Sequence, residues 1–251
     1  MTRYISILLV SAFLICQPAL AQELSDGADV IRAMHERYAD SWYPYLKFKQ
    51  RTVFYDINSG EVAREETWYE SLKIPGHLGI RIGDPNGGDG ILFKEGTQYG
   101  YAEGEMVQEI PRAHDLLVLG FDVYRQDPSK SISVLKEVGY DLSKMYEDTW
   151  QGREVYVIGT NLPDPRIPQF WIDKERLVFV RSVKAGRQNT RQEVRFNKYE
   201  RLGGGWISPE VIFLVNDKKS LLEEYYEIRI PDNVPDAFFD PVTFIQTPWS
   251  R

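Results

Sequence analysis

The chain has almost no cysteine. Its single one, Cys16, falls inside an apolar leader, so the mature chain expected from that leader holds no thiol. That excludes disulfides, a cysteine nucleophile and cysteine-ligated metal, and leaves stability to the packed core. Histidine is nearly as scarce. His35, His77 and His114 lie far apart, and none stands in a metal-ligand spacing such as H-x-x-x-H. Each reads as a surface or structural residue, not a ligand. Basic charge is in deficit: 30 Lys and Arg face 37 Asp and Glu, a formal net charge of −7. That balance argues against nucleic acid and anionic membrane surfaces as partners. The acidity is spread along the chain, with no acidic tail, as on a solvated surface. Internal repeats, low-complexity stretches and linkers are absent. Beyond the leader no apolar run approaches the roughly 20 residues a membrane-spanning helix needs.

What is present begins with the leader itself. Arg3 precedes an apolar run over residues 4–15, Pro18 breaks any helix, and Ala19-Leu20-Ala21 supplies small residues at a cleavage site. Residues 1–21 read as a secretory signal, with cleavage expected after Ala21. Ile15 precedes Cys16 where a bacterial lipoprotein signal wants a small residue, so no lipid anchor is expected there. The mature chain, 22–251, is expected to be a soluble periplasmic protein of one domain.

An amphipathic helix opens it. Val30, Ile31, Met34 and Tyr38 recur at helical spacing behind Ser25 or Asp26 as cap, and Pro44 disfavours helix at Tyr43. Strands follow over 46–57 and 61–74, hinged at Asn58-Ser59-Gly60. More are expected over 77–82, over 90–94 and 97–102 around Glu95-Gly96, and over 105–110. The pattern then turns helical. Leu116, Leu117 and Leu119 suggest a short helix entered through Pro111. Asp127 caps a second, with Pro128 at its first position and Ile132, Leu135 and Val138 on one side. Strands resume over 141–150, 153–160, 169–173, 176–184, 190–201, 206–216 and 221–230, the glycines Gly203-Gly204-Gly205 forming a hairpin turn. In the last strand Leu222, Tyr226, Ile228 and Ile230 share one face, and Glu223, Glu227 and Arg229 the other. The expected class is α+β: a strongly curved antiparallel sheet, an incomplete barrel of about ten strands, with helices covering its concave side.

Sites of chemistry are hard to find. Asp84-Pro-Asn86-Gly-Gly-Asp89-Gly90 has calcium-like residues in the wrong order for an EF-hand and reads as a polar turn. Arg64-Glu65-Glu66 and Glu223-Glu224 invite a paired-acid reading. Neighbouring strand residues point to opposite faces, however, so they read as solvated surface. No catalytic residue, metal ligand or cofactor site is expected. The remaining signal is aromatic, 13% of the chain. Trp68, Phe93, Tyr99, Tyr101, Trp171, Phe179, Phe196 and Phe213 lie on expected strands. They are either core or the lining of an apolar ligand cavity on the concave face. Several strands, notably 207–215, are apolar on both faces, which favours the cavity.

The order of pieces resembles the LolA/LolB superfamily of periplasmic lipoprotein carriers and their outer-membrane lipoprotein-sorting relatives. Lys73-Ile74-Pro75-Gly76-His77-Leu78 resembles the carriers' turn. Gly90-Ile-Leu-Phe-Lys94-Glu-Gly96-Thr-Gln-Tyr99-Gly-Tyr101 resembles their central hairpin. Gln169-Phe-Trp171-Ile-Asp173 before Val194-Arg-Phe196-Asn-Lys-Tyr199 resembles a later one, and Val234-Pro-Asp-Ala-Phe238-Phe239-Asp240-Pro241 their closing segment. The resemblance implies an incomplete barrel whose helices lid a cavity for lipid acyl chains or lipoproteins, without catalysis. One departure stands out. The carriers place an arginine before the proline of the turn, where it helps hold the lid closed. Here Ile74 occupies that position, with Arg81 nearby as the candidate substitute. Two other readings stay open: an envelope protein-interaction or stress-sensing module on the same fold, and a hydrolase of envelope polymers.

Overall fold

A computed structural model of the protein describes residues 24–186 and 190–249. The expected leader, 1–21, lies outside the described residues. Helix α1 (Gly27–Tyr38) starts where the Asp26 carboxylate accepts the Asp29 N–H at 2.8 Å. It buries Val30, Ile31, Met34 and Tyr38, the stripe its periodicity requires.

The chain then lays down β1 (Tyr45–Tyr55), β2 (Val62–Lys73), β3 (His77–Ile82), β4 (Gly90–Lys94), β5 (Thr97–Ala102) and β6 (Glu105–Pro111), each antiparallel to the one before. It leaves the sheet for α2 (Asp115–Gly120), a 3-10 turn (Asp122–Tyr124) and α3 (Pro128–Glu137), which Asp127 caps through the Ser129 N–H. It returns at the far edge as β7 (Met145–Trp150), β8 (Arg153–Ile158), β9 (Gln169–Asp173), β10 (Val178–Ala185) and β11 (Arg191–Asn197). A small separate hairpin, β12 (Glu200–Leu202) and β13 (Gly205–Ile207), precedes β14 (Glu210–Val215) and β15 (Lys218–Arg229).

The main sheet holds 13 strands in the order β6-β5-β4-β3-β2-β1-β15-β14-β11-β10-β9-β8-β7. This corrects the expectation of about ten strands in a strongly curved, nearly closed sheet: it is open and not strongly curled. A single meander of this length would have to curl. This chain instead makes two limbs that grow outward from the central β1–β15 pair, and the helical excursion carries it from one outer edge, β6, to the other, β7. Pro111 also differs from expectation. It pairs with Thr97 as the last residue of β6, and α2 is instead capped by His114, whose Nδ1 accepts the Leu117 N–H at 3.1 Å.

The helices cover one face, where the larger core cluster forms. The other, outer face over β2–β5 is covered by the chain after β15. Val234, Phe238, Phe239, Phe244 and Trp249 pack there on Leu92 and Tyr101. Close approach needs Gly79, because a Cβ there would stand 2.6 Å from Phe238 Cε1. Arg81 lies beneath at zero exposure. It donates from Nη1 to Gly87 O at 3.0 Å, and from Nη2 to Thr247 O at 2.9 Å and to Phe244 O. The Tyr101 hydroxyl donates to Pro241 O at 2.7 Å.

Candidate functional site

Between the helical face of the sheet and α2 lies a cavity of about 320 Å3. Strand registers build its floor. On β1 and β2 Phe48 stands opposite Glu70, and Gln50 opposite Trp68. On β3 and β4 Leu78 stands opposite Phe93. On the second limb Val194 faces Phe213, and Phe196 faces Val211. Alternation then turns Phe213, Val211, Leu221, Glu223 and Tyr225 toward the same space. The roof comes from the segment entering α2 and from α2 itself: Arg112, His114, Leu116, Leu117 and Phe121. Asp115 anchors that roof. It accepts the Tyr140 hydroxyl at 2.9 Å and pairs with Lys184 of β10 at 2.7 Å. Clefts of about 310 and 500 Å3 flank the roof and share Arg112 and His114 with the cavity.

The structure brings four of the eight sequence-derived aromatics into this wall: Trp68, Phe93, Phe196 and Phe213. Phe179 is fully buried and meets Phe196 edge-on, with ring centroids 4.9 Å apart. Tyr99 and Tyr101 lie on the outer face, against the C-terminal segment. Trp171 pairs in register with Arg181, whose guanidinium lies 4.3 Å over its ring. Arg181 in turn pairs with Arg195, which alternates with the cavity residue Phe196, so Trp171 also faces outward.

The polar members of the site escaped the sequence reading. The sequence pattern puts Glu223 on the solvated face and Leu222 on the buried one; the structure turns Glu223 into the cavity, because the adjacent Leu221-Leu222 offers an apolar residue to either face and Glu227, at φ 50°, breaks the later alternation. Glu70 is 6% exposed. Burial, reinforced by the charge of Glu223, holds its carboxyl well above the usual carboxylate range. Burial also pushes Glu223 up to about 7, against the Tyr225 hydroxyl and the Gln50 amide, which favour its charged form. His114 goes the other way, down to about 4, again chiefly through burial, and Phe93 meets its ring edge-on at 4.5 Å.

A carboxyl pair in a pocket raises glycosidase chemistry, which needs one acid kept neutral and a second held as carboxylate. Here the same desolvation raises both, and neither has a salt-bridge partner among the described residues. Nor do the described residues contain a group of three His, Cys, Asp or Glu fit to hold a metal ion. No described helix is long and apolar enough to cross a membrane.

The closed roof is not latched by an arginine of the turn. Ile74 is a core residue at 5% exposure, and Arg81 is committed to the outer face. The turn instead meets the helical layer through Gly76, whose N–H donates to Asp122 Oδ1 at 2.9 Å.

No protein-family model matches the chain, and no curated protein matches its sequence. Solved structures do share its fold. A DUF1329 family protein from Desulfovibrio piger aligns at TM-score 0.58 and 13% identity over 85% of this chain and 95% of that one. A domain described as an outer membrane lipoprotein-sorting protein, from Vibrio parahaemolyticus, aligns at TM-score 0.58 and 13% identity over 87% and 98%. A LolA superfamily protein from Nitrosomonas europaea aligns at TM-score 0.55 and 12% identity over 84% and 97%. At such identities the likeness establishes the architecture, and the architecture is LolA-like.

Proposed function

We propose that this LolA-like chain is an exported, non-catalytic binding protein that carries an apolar, lipid-type ligand beneath its helical roof. The observation that carries the proposal is the cavity itself. Aromatic and aliphatic side chains from both limbs of the sheet converge on it beneath α2, as in a small-molecule binding site. Its volume of about 320 Å3 lies at the small end of ligand pockets, roughly 300–1,000 Å3. It suits one chain rather than the several of a lipoprotein anchor. Affinity would come from burying methylenes, about 0.8 kcal/mol each. Release would come from lifting α2, with no nucleotide. Likeness to a lipoprotein-sorting domain supports the same ligand class. So does the leader-like start, which supports export to the envelope.

Native mass spectrometry and lipid extraction of the protein purified from periplasm should reveal a co-purifying apolar ligand. A fluorescent fatty-acid probe should brighten on mixing, and Phe213→Glu should abolish that gain. Protein that carries no lipid and leaves the probe unchanged would overturn the reading. A second reading, a protein-interaction module, has one feature in its favour. Among the described residues the outer strand β6 is an unpaired edge, with Val107 66% exposed, a surface on which another strand can add. Cross-linking that recovers one protein partner and no lipid would select it.

A further inference from the structure

A row of side chains crosses the cavity floor from the centre of the sheet toward its β6 edge. Register pairs Leu72 with Leu78, Leu78 with Phe93, and Phe93 with Gln98. Register partners share a face, and the first three line the cavity. The apolar row therefore ends on a polar group. Gln98, on β5, is 8% exposed. Its amide nitrogen donates to Gln108 Oε1 at 3.3 Å, and its Oε1 accepts Arg112 Nη1 at 3.0 Å. The Arg112 backbone is fixed as well, its N–H donating to Gly96 O at 2.8 Å. Of the residues that line the cavity, Arg112 alone is exposed, and it also lines both flanking clefts. It therefore marks the mouth. It is also the one cation of the lining, because burial keeps His114 neutral. Among the described residues no carboxylate forms an ion pair with it. Asp115 is spent on Lys184, and Glu193 on Arg181 and Arg195. The acids of the floor stand at the other end. Glu70, two residues from Leu72 on β2, is three strand spacings from Gln98, roughly 14 Å. Glu223 lies farther still, on β15 beyond β1.

The structure assigns Arg112 an anion subsite: the ligand is a single apolar chain ending in a carboxylate or phosphate, with its head on the Arg112 guanidinium and its tail along Phe93, Leu78 and Leu72. This deepens the proposed lipid-type binding and rests on it. A guanidinium carries five N–H donors in a planar fork and no acceptor. Gln98 occupies one nitrogen and leaves the rest for paired hydrogen bonds, the arrangement that carboxylate and phosphate oxygens match. The two ends of the cavity differ in kind, and that fixes the ligand's direction. An anionic head at the centre would give up its water beside two carboxyl groups, Glu70 and Glu223. At the mouth it keeps part of its hydration and meets a cation that no protein carboxylate neutralises.

The test is a calorimetric titration of the full chain with decanoate, decyl phosphate, decanol and decylamine, which share one chain length. At least one anion should bind roughly tenfold more tightly than decanol, from charge-assisted hydrogen bonds to the guanidinium, and decylamine most weakly. Which anion binds better separates a fatty acid from a phosphorylated lipid as the source; a preference for either supports the subsite. Arg112→Gln should bring the anions down to the affinity of decanol. Arg112→Glu should move the preference to decylamine, a reversal that a merely structural arginine would not produce. If decanol or decylamine matches both anions, or the preference survives Arg112→Gln, the anion subsite is overturned and apolar binding stands. Should none of the four bind, both readings fall. If neither variant folds, the wild-type series decides by itself.

Discussion

Arg81 and Glu223 are charged residues that the fold takes out of water for different ends. The Arg81 guanidinium gives up solvent for three carbonyls, two of them on the C-terminal segment, and for the rings of Phe238 and Phe244. Replacing it leaves the Gly87 and Thr247 carbonyls without this donor, each a cost of roughly 1–3 kcal/mol, while Phe244 O keeps the Thr247 N–H. Arg81→Met should therefore lower stability by about 3 kcal/mol, read as a lower urea midpoint. Limited proteolysis should then cut first after residue 230, where the segment leaves the sheet. Neither role was legible in the sequence. An arginine in a six-residue strand reads as surface, and what buries it arrives 163 residues later. Ile74 shows the converse: the sequence displays its departure from the carriers' arginine, and the structure buries it in the core.

Legibility improves for elements, because their signals are local. Asp26 and Asp127 were readable as caps, and each accepts an N–H within its own first turn. The hairpin at Glu95-Gly96 was readable for the same reason. Helix α2 was only half legible. Its leucines gave its place, but its cap is His114 rather than one of the usual short polar residues, and Pro111 belongs to the strand before it. That cap also roofs the cavity, so stability and ligand exchange should respond together. His114→Ala should cost about 1 kcal/mol through the lost cap. Stopped-flow release of a bound fatty-acid probe should be faster, while the probe's environment on the sheet floor, read from its emission maximum, stays the same. About ten strands undercounts the stretches that carry the strand pattern, and within two of them, 190–201 and 206–216, the short β12 and β13 merge with β11 and β14.

Across the whole molecule the buried acids set a pH response. Glu70, Glu223 and Asp122 all hold their protons more tightly folded than unfolded, Glu223 and Asp122 up to about 7. Their contribution is full below the ordinary carboxylate range and is lost as pH rises through about 7. His114, pushed down to about 4 from 6.5, opposes them: its contribution is full above 6.5 and lost as pH falls toward 4. The acids act alone once pH exceeds the ordinary histidine value. The urea midpoint should therefore fall between about pH 6 and about pH 8, and Glu223→Gln should flatten that fall. The three acids and the one imidazole all lie in or beside the ligand cavity, so this pH response originates there. The central β1–β15 pair has a consequence of another sort. It joins Lys47 to Arg229 and Phe54 to Leu221, so the first strand made waits for the last before the two limbs become one sheet. Until then β1 offers a bare edge beside β2, and closing so long a loop is slow. A chain delivered from its N-terminus thus stays open to holding factors, and to aggregation, for nearly the whole time of its synthesis.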